Sequence, residues 1–213
     1  MEDYLKAIYK LQGDESVSTT DLATELCVSA ASVTNMVKRL ADMQMVEHQS
    51  YRGVQLTDAG RKVALETIRH HRLLETYLRQ VMGFSWAEMH AEAEHLEHHI
   101  SESFERRIDE MLGYPTHDPH GHPIPTRDLE IADSSAVSLA EVPADTEVAV
   151  VYVSDGDPKR LTYLEAIDLL PGTVFRIVEK APFNGPLLLR INGEPQTVGY
   201  EIATHVFVSH EAD

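Results

Sequence analysis

No window of this sequence approaches eighteen consecutive apolar residues, so no membrane-spanning helix and no membrane partner are expected. The N-terminus lacks the basic-then-apolar pattern of a secretory signal, which makes the cytoplasm the expected compartment. There is a single cysteine, Cys27, which has no intrachain partner for a disulfide and fits a reducing compartment. Within its apolar run it reads as a buried structural thiol. Cationic side chains are scarce: 18 Lys and Arg face 35 Asp and Glu, a formal charge of −17. A uniformly acidic surface would exclude nucleic acid, because phosphate contacts need Lys and Arg. The scarcity is uneven, however. Residues 29–62 hold five basic residues (Lys38, Arg39, Arg52, Arg61, Lys62) and three acidic ones (Asp42, Glu47, Asp58). Residues 63–112 hold ten acidic against five basic, and 113–213 sixteen against six, so the acidity lies mostly elsewhere. One basic stretch followed by an acidic, His-rich segment points to two charged partners, one anionic and one cationic. Apolar content of 43% over 213 residues suits a chain folded throughout, in one large or two to three small domains.

Periodicity places a helix over 2–12, with Tyr4, Leu5, Ile8, Tyr9 and Leu11 on one stripe. Ser18 to Asp21 has the spacing of a capped helix start, carrying Leu22, Ala23 and Leu26 inward. After a turn at Cys27-Val28, Ser29 caps a second helix that points Val33, Met36, Val37 and Leu40 inward. This is a helix-turn-helix pattern. Val46-Glu47-His48 and Val54-Gln55-Leu56 flank a turn at Tyr51-Arg52-Gly53 and read as a wing. Helices are then expected from 58 to 82 and, after Gly83, as one long helix from 85 to 112. The Pro-rich segment 114–126 marks a boundary, and 127–141 reads as a loose linker. Glu147–Ser154, Thr173–Glu179, Leu187–Ile191, Glu194–Val198 and His205–Val208 read as short strands of a small β-barrel.

In the helix expected from 85, His90, Glu94, Glu97 and His98 fall at i, i+4, i+7 and i+8, one face of about 100°. His71 and Glu75 form a second i, i+4 pair in the preceding helix, and antiparallel packing would bring the pairs together. Imidazole with carboxylate suits Mn²⁺, Fe²⁺, Zn²⁺ or Co²⁺, and the lack of thiolate argues against a soft-metal site. Spacing alone is equally compatible with a solvated acidic face. The clustering of six of the twelve histidines between His70 and His99 turns the reading towards metal. His95 and His99 lie to the side of that face, and His117, His120 and His122 sit among prolines, where a plain loop is the simpler reading. Glu92-Ala-Glu-His95 is a Glu-x-x-His sequence of the kind used by di-metal carboxylate enzymes, but no second copy is present and such an enzyme has no use for a helix-turn-helix. A winged-helix regulator triggered by an organic ligand, or by nothing, is the third class. Metal content and operator binding separate the three.

The order of these features resembles the diphtheria-toxin-repressor (DtxR) family of metal-dependent regulators. The resemblance rests on Tyr4-Leu-Lys-Ala-Ile-Tyr9, His70-His-Arg-Leu-Leu-Glu75, Met89-His-Ala-Glu-Ala-Glu-His-Leu-Glu-His98 and Asp118-Pro-His-Gly-His-Pro-Ile-Pro125. It implies one metal site of His71, Glu75 and His90 and another of Asp3, Glu94, Glu97 and His98. The family's iron-responsive members have Met and Cys where this chain has Asp3 and Glu94, as the manganese-responsive branch does. Hard oxygen donors therefore make Mn²⁺ the expected effector, with Fe²⁺ the alternative and Zn²⁺, Co²⁺ or Cd²⁺ expected to substitute in vitro. The smaller manganese regulators carry Glu one turn after the Asp, whereas here Lys6 stands, so separated sites are expected rather than a tight binuclear centre. The C-terminal β segment resembles the SH3-like domain of the iron-responsive branch. There Asp155 or Asp157 could lend a ligand, with a plain turn as the simpler role.

The expected fold is α+β: a winged helix-turn-helix over 1–63, a helical dimerisation and metal-binding domain over 64–126, a linker over 127–142 and an SH3-like (FeoA-like) domain over 143–213. The expected partners are a double-stranded DNA operator and a second copy of the chain, with no organic cofactor and no catalytic residues. Ser29, Ser32 and Thr34 near the start of the recognition helix suit phosphate or base contact. Asn35 suits a base edge, and Lys38, Arg39 and wing Arg52 suit phosphate.

Overall fold

The computed structural model describes residues 1–13, 16–49, 53–132 and 134–210, arranged in two units. The first comprises Met1–His71, Glu97–His99 and Pro125–Glu130, and the second Arg72–Leu96, Ile100–Ile124 and the remainder of the chain. In the first unit, α1 (Glu2–Leu11), α2 (Thr19–Glu25) and α3 (Ala30–Asp42) are followed by β1 (Val46–Gln49) and β2 (Gly53–Leu56), an antiparallel pair. Ser18 accepts from the Asp21 amide and Ser29 from the Ser32 amide, so both expected caps satisfy helix-end donors, each worth about 1 kcal/mol. Leu5, Ile8, Leu22, Val33, Val37 and Leu40 are buried together, which pins α1 and the helix-turn-helix to one core. The first half of α4 (Asp58–Gln80) belongs to this unit and its second half to the other.

Two expectations change here. Cys27 is exposed, not buried, because it is the left-handed turn residue between α2 and α3, with φ 52°. The helix expected from 85 to 112 is broken. It runs as α5 (Trp86–Leu96), a turn at 97–99, and α6 (Glu102–Met111), whose first turn is capped by Ser101 accepting from the Phe104 amide.

In the second unit, β3 (Val137–Ser138), β4 (Thr146–Val153), α7 (Pro158–Ala166), β5 (Val174–Lys180), β6 (Leu187–Ile191), β7 (Glu194–Val198), α8 (Tyr200–Ala203) and β8 (Val206–His210) follow. The strands form one antiparallel sheet in the order β3-β8-β4-β5-β6-β7. The ladder does not close into the expected barrel; β3, of two residues, and β7, of five, remain its edges. Val148, Val150, Val153, Ile177, Leu187, Leu189 and Val208 are buried from this sheet and join Leu73, Leu74, Leu78, Trp86 and Met89 of α4 and α5 in one core. The supposed linker contributes as well, since Leu139 and Val142 are buried. No helix among the described residues is long and apolar enough to cross a membrane.

Candidate functional site

In the first unit, polar side chains converge on Glu97. Its carboxylate is 1% exposed, a position a charge occupies only with partners. Oε1 accepts from Lys6 Nζ at 2.6 Å, and Oε2 lies 2.6 Å from His71 Nδ1. Next in the chain, His98 sets Nε2 at 2.7 Å from Asp3 Oδ1 and Nδ1 at 2.5 Å from Glu2 Oε2. Asp3, Glu97 and His98 each offer a donor atom within 4.8 Å of the others, so the three could share one cation. The break after Leu96 makes this possible, because Glu97 and His98 lie on a turn free of the α5 register. Glu94 stays on α5 and is half-buried. Lys6 pairs with a carboxylate, the alternative to a second bridging metal at that position.

In the second unit the centre is Glu75, which is fully buried on α4. Its Oε1 lies 2.8 Å from His90 Nδ1, and Oε2 lies 3.4 Å from His120 Nδ1. Of the trio implied by resemblance, Glu75 and His90 thus meet directly, while His71, one turn earlier on α4, gives its Nδ1 to Glu97. The prolines around His120 predict a plain loop residue; the structure instead buries it completely against Trp86, with ring centroids 4.9 Å apart. Its Nε2 is buried and makes no hydrogen bond among the described residues. Burial by itself depresses the imidazole pKa. The charges of Glu75, Asp118 and Asp155 outweigh it, so the net shift is upward. A buried imidazole facing carboxylates, with a ring nitrogen left over, suits a cation better than it suits an apolar core.

Asp118 organises the loop that carries His120. Its Oδ1 accepts from the amides of His120 and His122 at 2.8 and 3.0 Å. Its Oδ2 is buried, 3.5 Å from both Arg72 Nε and His122 Nδ1. Asp118, His120 and His122 form a second group able to hold a cation. Strand β4 grips the same loop: the Val153 amide donates to His120 O at 3.0 Å, and the Tyr152 ring lies 5.1 Å from that of His122 while stacking on Phe207 at 4.4 Å. The sequence signal for this is the Asp118-Pro-His-Gly-His run, whose prolines make it resemble a plain loop. Asp157, for which a plain turn is the simpler expected role, stands at the start of α7. It is the N-cap of α7, accepting from the Lys159 amide at 2.9 Å, while Asp155 is the residue whose charge reaches His120.

On α3, Ser29, Ser32, Asn35, Lys38 and Arg39 are all exposed. Asn35 and Lys38 follow Ser32 at helical spacing on the face away from Val33, Val37 and Leu40. Thr34 is half-buried, and its hydroxyl donates back to Ala30 O at 2.9 Å. Arg52 lies outside the described residues.

Three family models match the chain in order. Residues 1–54 match the N-terminal DNA binding domain of the iron dependent repressors, 57–126 their metal binding and dimerisation domain, and 137–210 the FeoA domain. The chain is 34% identical to the iron-dependent repressor IdeR of Mycobacterium tuberculosis (strain ATCC 25618 / H37Rv), over 97% of this chain and 95% of that protein. It is 36% identical to the HTH-type transcriptional regulator MntR of Geobacillus kaustophilus, over 54% of this chain and 81% of that protein. Among solved structures, a manganese-dependent transcriptional repressor in complex with manganese matches with a TM-score of 0.91 at 36% identity, covering 98% of this chain and 99% of that one.

Proposed function

Because the chain belongs to the diphtheria-toxin-repressor family of metal-dependent transcriptional repressors, we propose that it is a manganese-responsive member that binds its operator as a homodimer in the cytoplasm. The observation that carries this reading is the donor chemistry: every side chain converging on Glu97 and on Glu75 offers oxygen or nitrogen and none offers sulfur. Such donors favour harder divalent ions. One centre would be held by Asp3, Glu97 and His98, with Glu94, three residues before Glu97, as the fourth residue the resemblance implies. The other would be held by Glu75, His90 and His120, with Asp118 and, by resemblance, His71.

A bound divalent ion supplies positive charge to carboxylates that otherwise repel one another. Asp3 belongs to α1, which shares its core with the helix-turn-helix, and Glu97 and His98 belong to the turn after α5. Joining them favours one placement of α1, and with it of α3. Linkage then requires that operator DNA raise metal affinity by the same factor by which metal raises DNA affinity. In the dimer, two copies of α3 would enter successive major grooves. Asn35 would read a base edge there, and Ser29, Ser32, Lys38, Arg39 and Arg52 would contact the backbone.

An iron-responsive repressor is the second reading, favoured by the full-length similarity to an iron-dependent repressor. Titration of operator DNA with metal-free protein, then with Mn²⁺, Fe²⁺, Zn²⁺, Co²⁺ or Cd²⁺, tests both. Mn²⁺ is expected to raise affinity about tenfold or more, a coupling of about 1.4 kcal/mol, and Glu97→Gln to lose that gain. Operator affinity indifferent to every ion would overturn metal control, and a response at physiological Fe²⁺ but not Mn²⁺ would favour the second reading.

A further inference from the structure

Lys6 is 7% exposed, although an ammonium is among the costliest groups to remove from water. It is on α1, one turn after Asp3, and its Nζ donates to Glu97 Oε1 at 2.6 Å. The other oxygen of Glu97 is held by His71. Oε1 is also the atom turned towards the Asp3–His98 pair: His98 Nε2 lies 3.5 Å from it and 2.7 Å from Asp3 Oδ1. The oxygen that would join Asp3 and His98 around a cation is therefore the one that already holds a cation. An ammonium and a divalent ion on one buried oxygen repel each other across a short, poorly screened distance.

We propose that Lys6 is a resident counter-cation of Glu97 that a divalent ion has to displace, so that this one lysine raises the free-ion concentration at which the repressor responds. The proposal rests on the reading of Glu97 as a metal ligand. In ion-free protein, Lys6 neutralises a carboxylate that would otherwise sit buried with its charge poorly balanced, and so keeps Glu97 in place next to α1. On ion binding, Nζ gives up Oε1, and the flexible four-carbon stem lets the ammonium withdraw while α1 stays packed through Leu5, Ala7 and Ile8. Apparent affinity is lowered by the stability of the lysine-bound state, as in any equilibrium where ligand must first release an internal competitor. A lysine serving only to hold the fold would keep its contact in both states and leave metal affinity alone.

The test is Mn²⁺ binding by calorimetric titration to the full chain, native and with Lys6→Gln, Lys6→Met, Lys6→Arg or Glu97→Gln. Removing the charge is expected to tighten binding at the Glu97 centre about tenfold or more, whereas Lys6→Arg, which keeps a cation, stays near native. Equal or weaker Mn²⁺ binding in folded Lys6→Gln and Lys6→Met overturns the proposal. Native-level Mn²⁺ binding at both centres in Glu97→Gln shows instead that the ligand reading was wrong. The native chain provides a measurement that needs no variant: acetylation of Lys6 by an amine-specific reagent, read by mass spectrometry. Mn²⁺ is expected to raise labelling of Lys6 severalfold; unchanged or reduced labelling overturns the proposal even if the neutral variants do not fold.

Discussion

Gly121 lies between Asp118 and His122, where β4 packs against the His120 loop. Its φ is +90°, and a Cβ added there would lie 2.0 Å from Val151 O and 2.9 Å from Tyr152 Cα, both backbone atoms of β4. Gly121→Ala therefore carries two costs. A side chain at this φ costs about 1–2 kcal/mol, and pushing apart packed backbone costs about 1–3 kcal/mol more. The total, about 2–5 kcal/mol, corresponds to a fall in Tm of roughly 4–20 °C for a chain of this size. The expected relief is for the loop to lift from β4, breaking the Val153 to His120 backbone hydrogen bond and withdrawing His120 from Glu75. Calorimetric melting of ion-free protein, combined with counting bound Mn²⁺ by the electron paramagnetic resonance of the free ion, reads both effects. The variant should lose the Glu75 centre and retain the Glu97 centre. Gly193→Ala is the control: its φ is +86° but nothing lies within 4 Å of the added Cβ, so it should show only the smaller backbone cost and native Mn²⁺ stoichiometry. A Gly121→Ala protein with native Tm and both centres intact would refute the idea that β4 holds His120 in place.

Two further outcomes follow from α3 and from the C-terminal unit. Lys38→Ala and Arg39→Ala should weaken binding to operator and to unrelated DNA alike and reduce the slope of log affinity against log salt by about 1 each, while Asn35→Ala should cost about 1–3 kcal/mol on the operator only. A base-specific loss from Arg39→Ala would contradict its assignment to phosphate. His205 has its pKa held below 6.5 by burial first and by the Arg160 charge second. The folded state thus favours neutral imidazole, and its contribution to stability is present above the unfolded value and lost as pH falls through the depressed one. An NMR titration should find the His205 midpoint below 6.5, rising in Arg160→Ala; a midpoint unaffected by that substitution would refute a contribution from the Arg160 charge.

Most of the secondary structure was legible because local rules determine it. Ser18 and Ser29 sit where helix-end amides need acceptors, Leu22, Val33, Val37 and Leu40 recur at helical spacing, and the strands Leu187–Ile191 and Glu194–Val198 have the observed bounds. Helix α7 was missed although Asp157-Pro158 is a cap followed by a first-turn proline, a signal lost among neighbouring strands. Glu75, His90, Glu97 and His98 are singled out in the sequence by residue type and helical spacing, whereas Asp3 enters only through the family resemblance.

What the sequence could not decide is which groups are taken out of water together. A single long helix through 85–112 satisfies periodicity, yet the chain breaks after Leu96 and assigns Glu97 and His98 to the first unit, where Lys6 and His71 close on Glu97. His120 reads as one more loop histidine until Val153 of β4, 33 residues later in the chain, is packed against it. Local propensity determines helices, caps and donor types. Burial of charge is a property of segments distant in sequence, and only the tertiary structure brings Lys6 to Glu97 and His120 to Glu75.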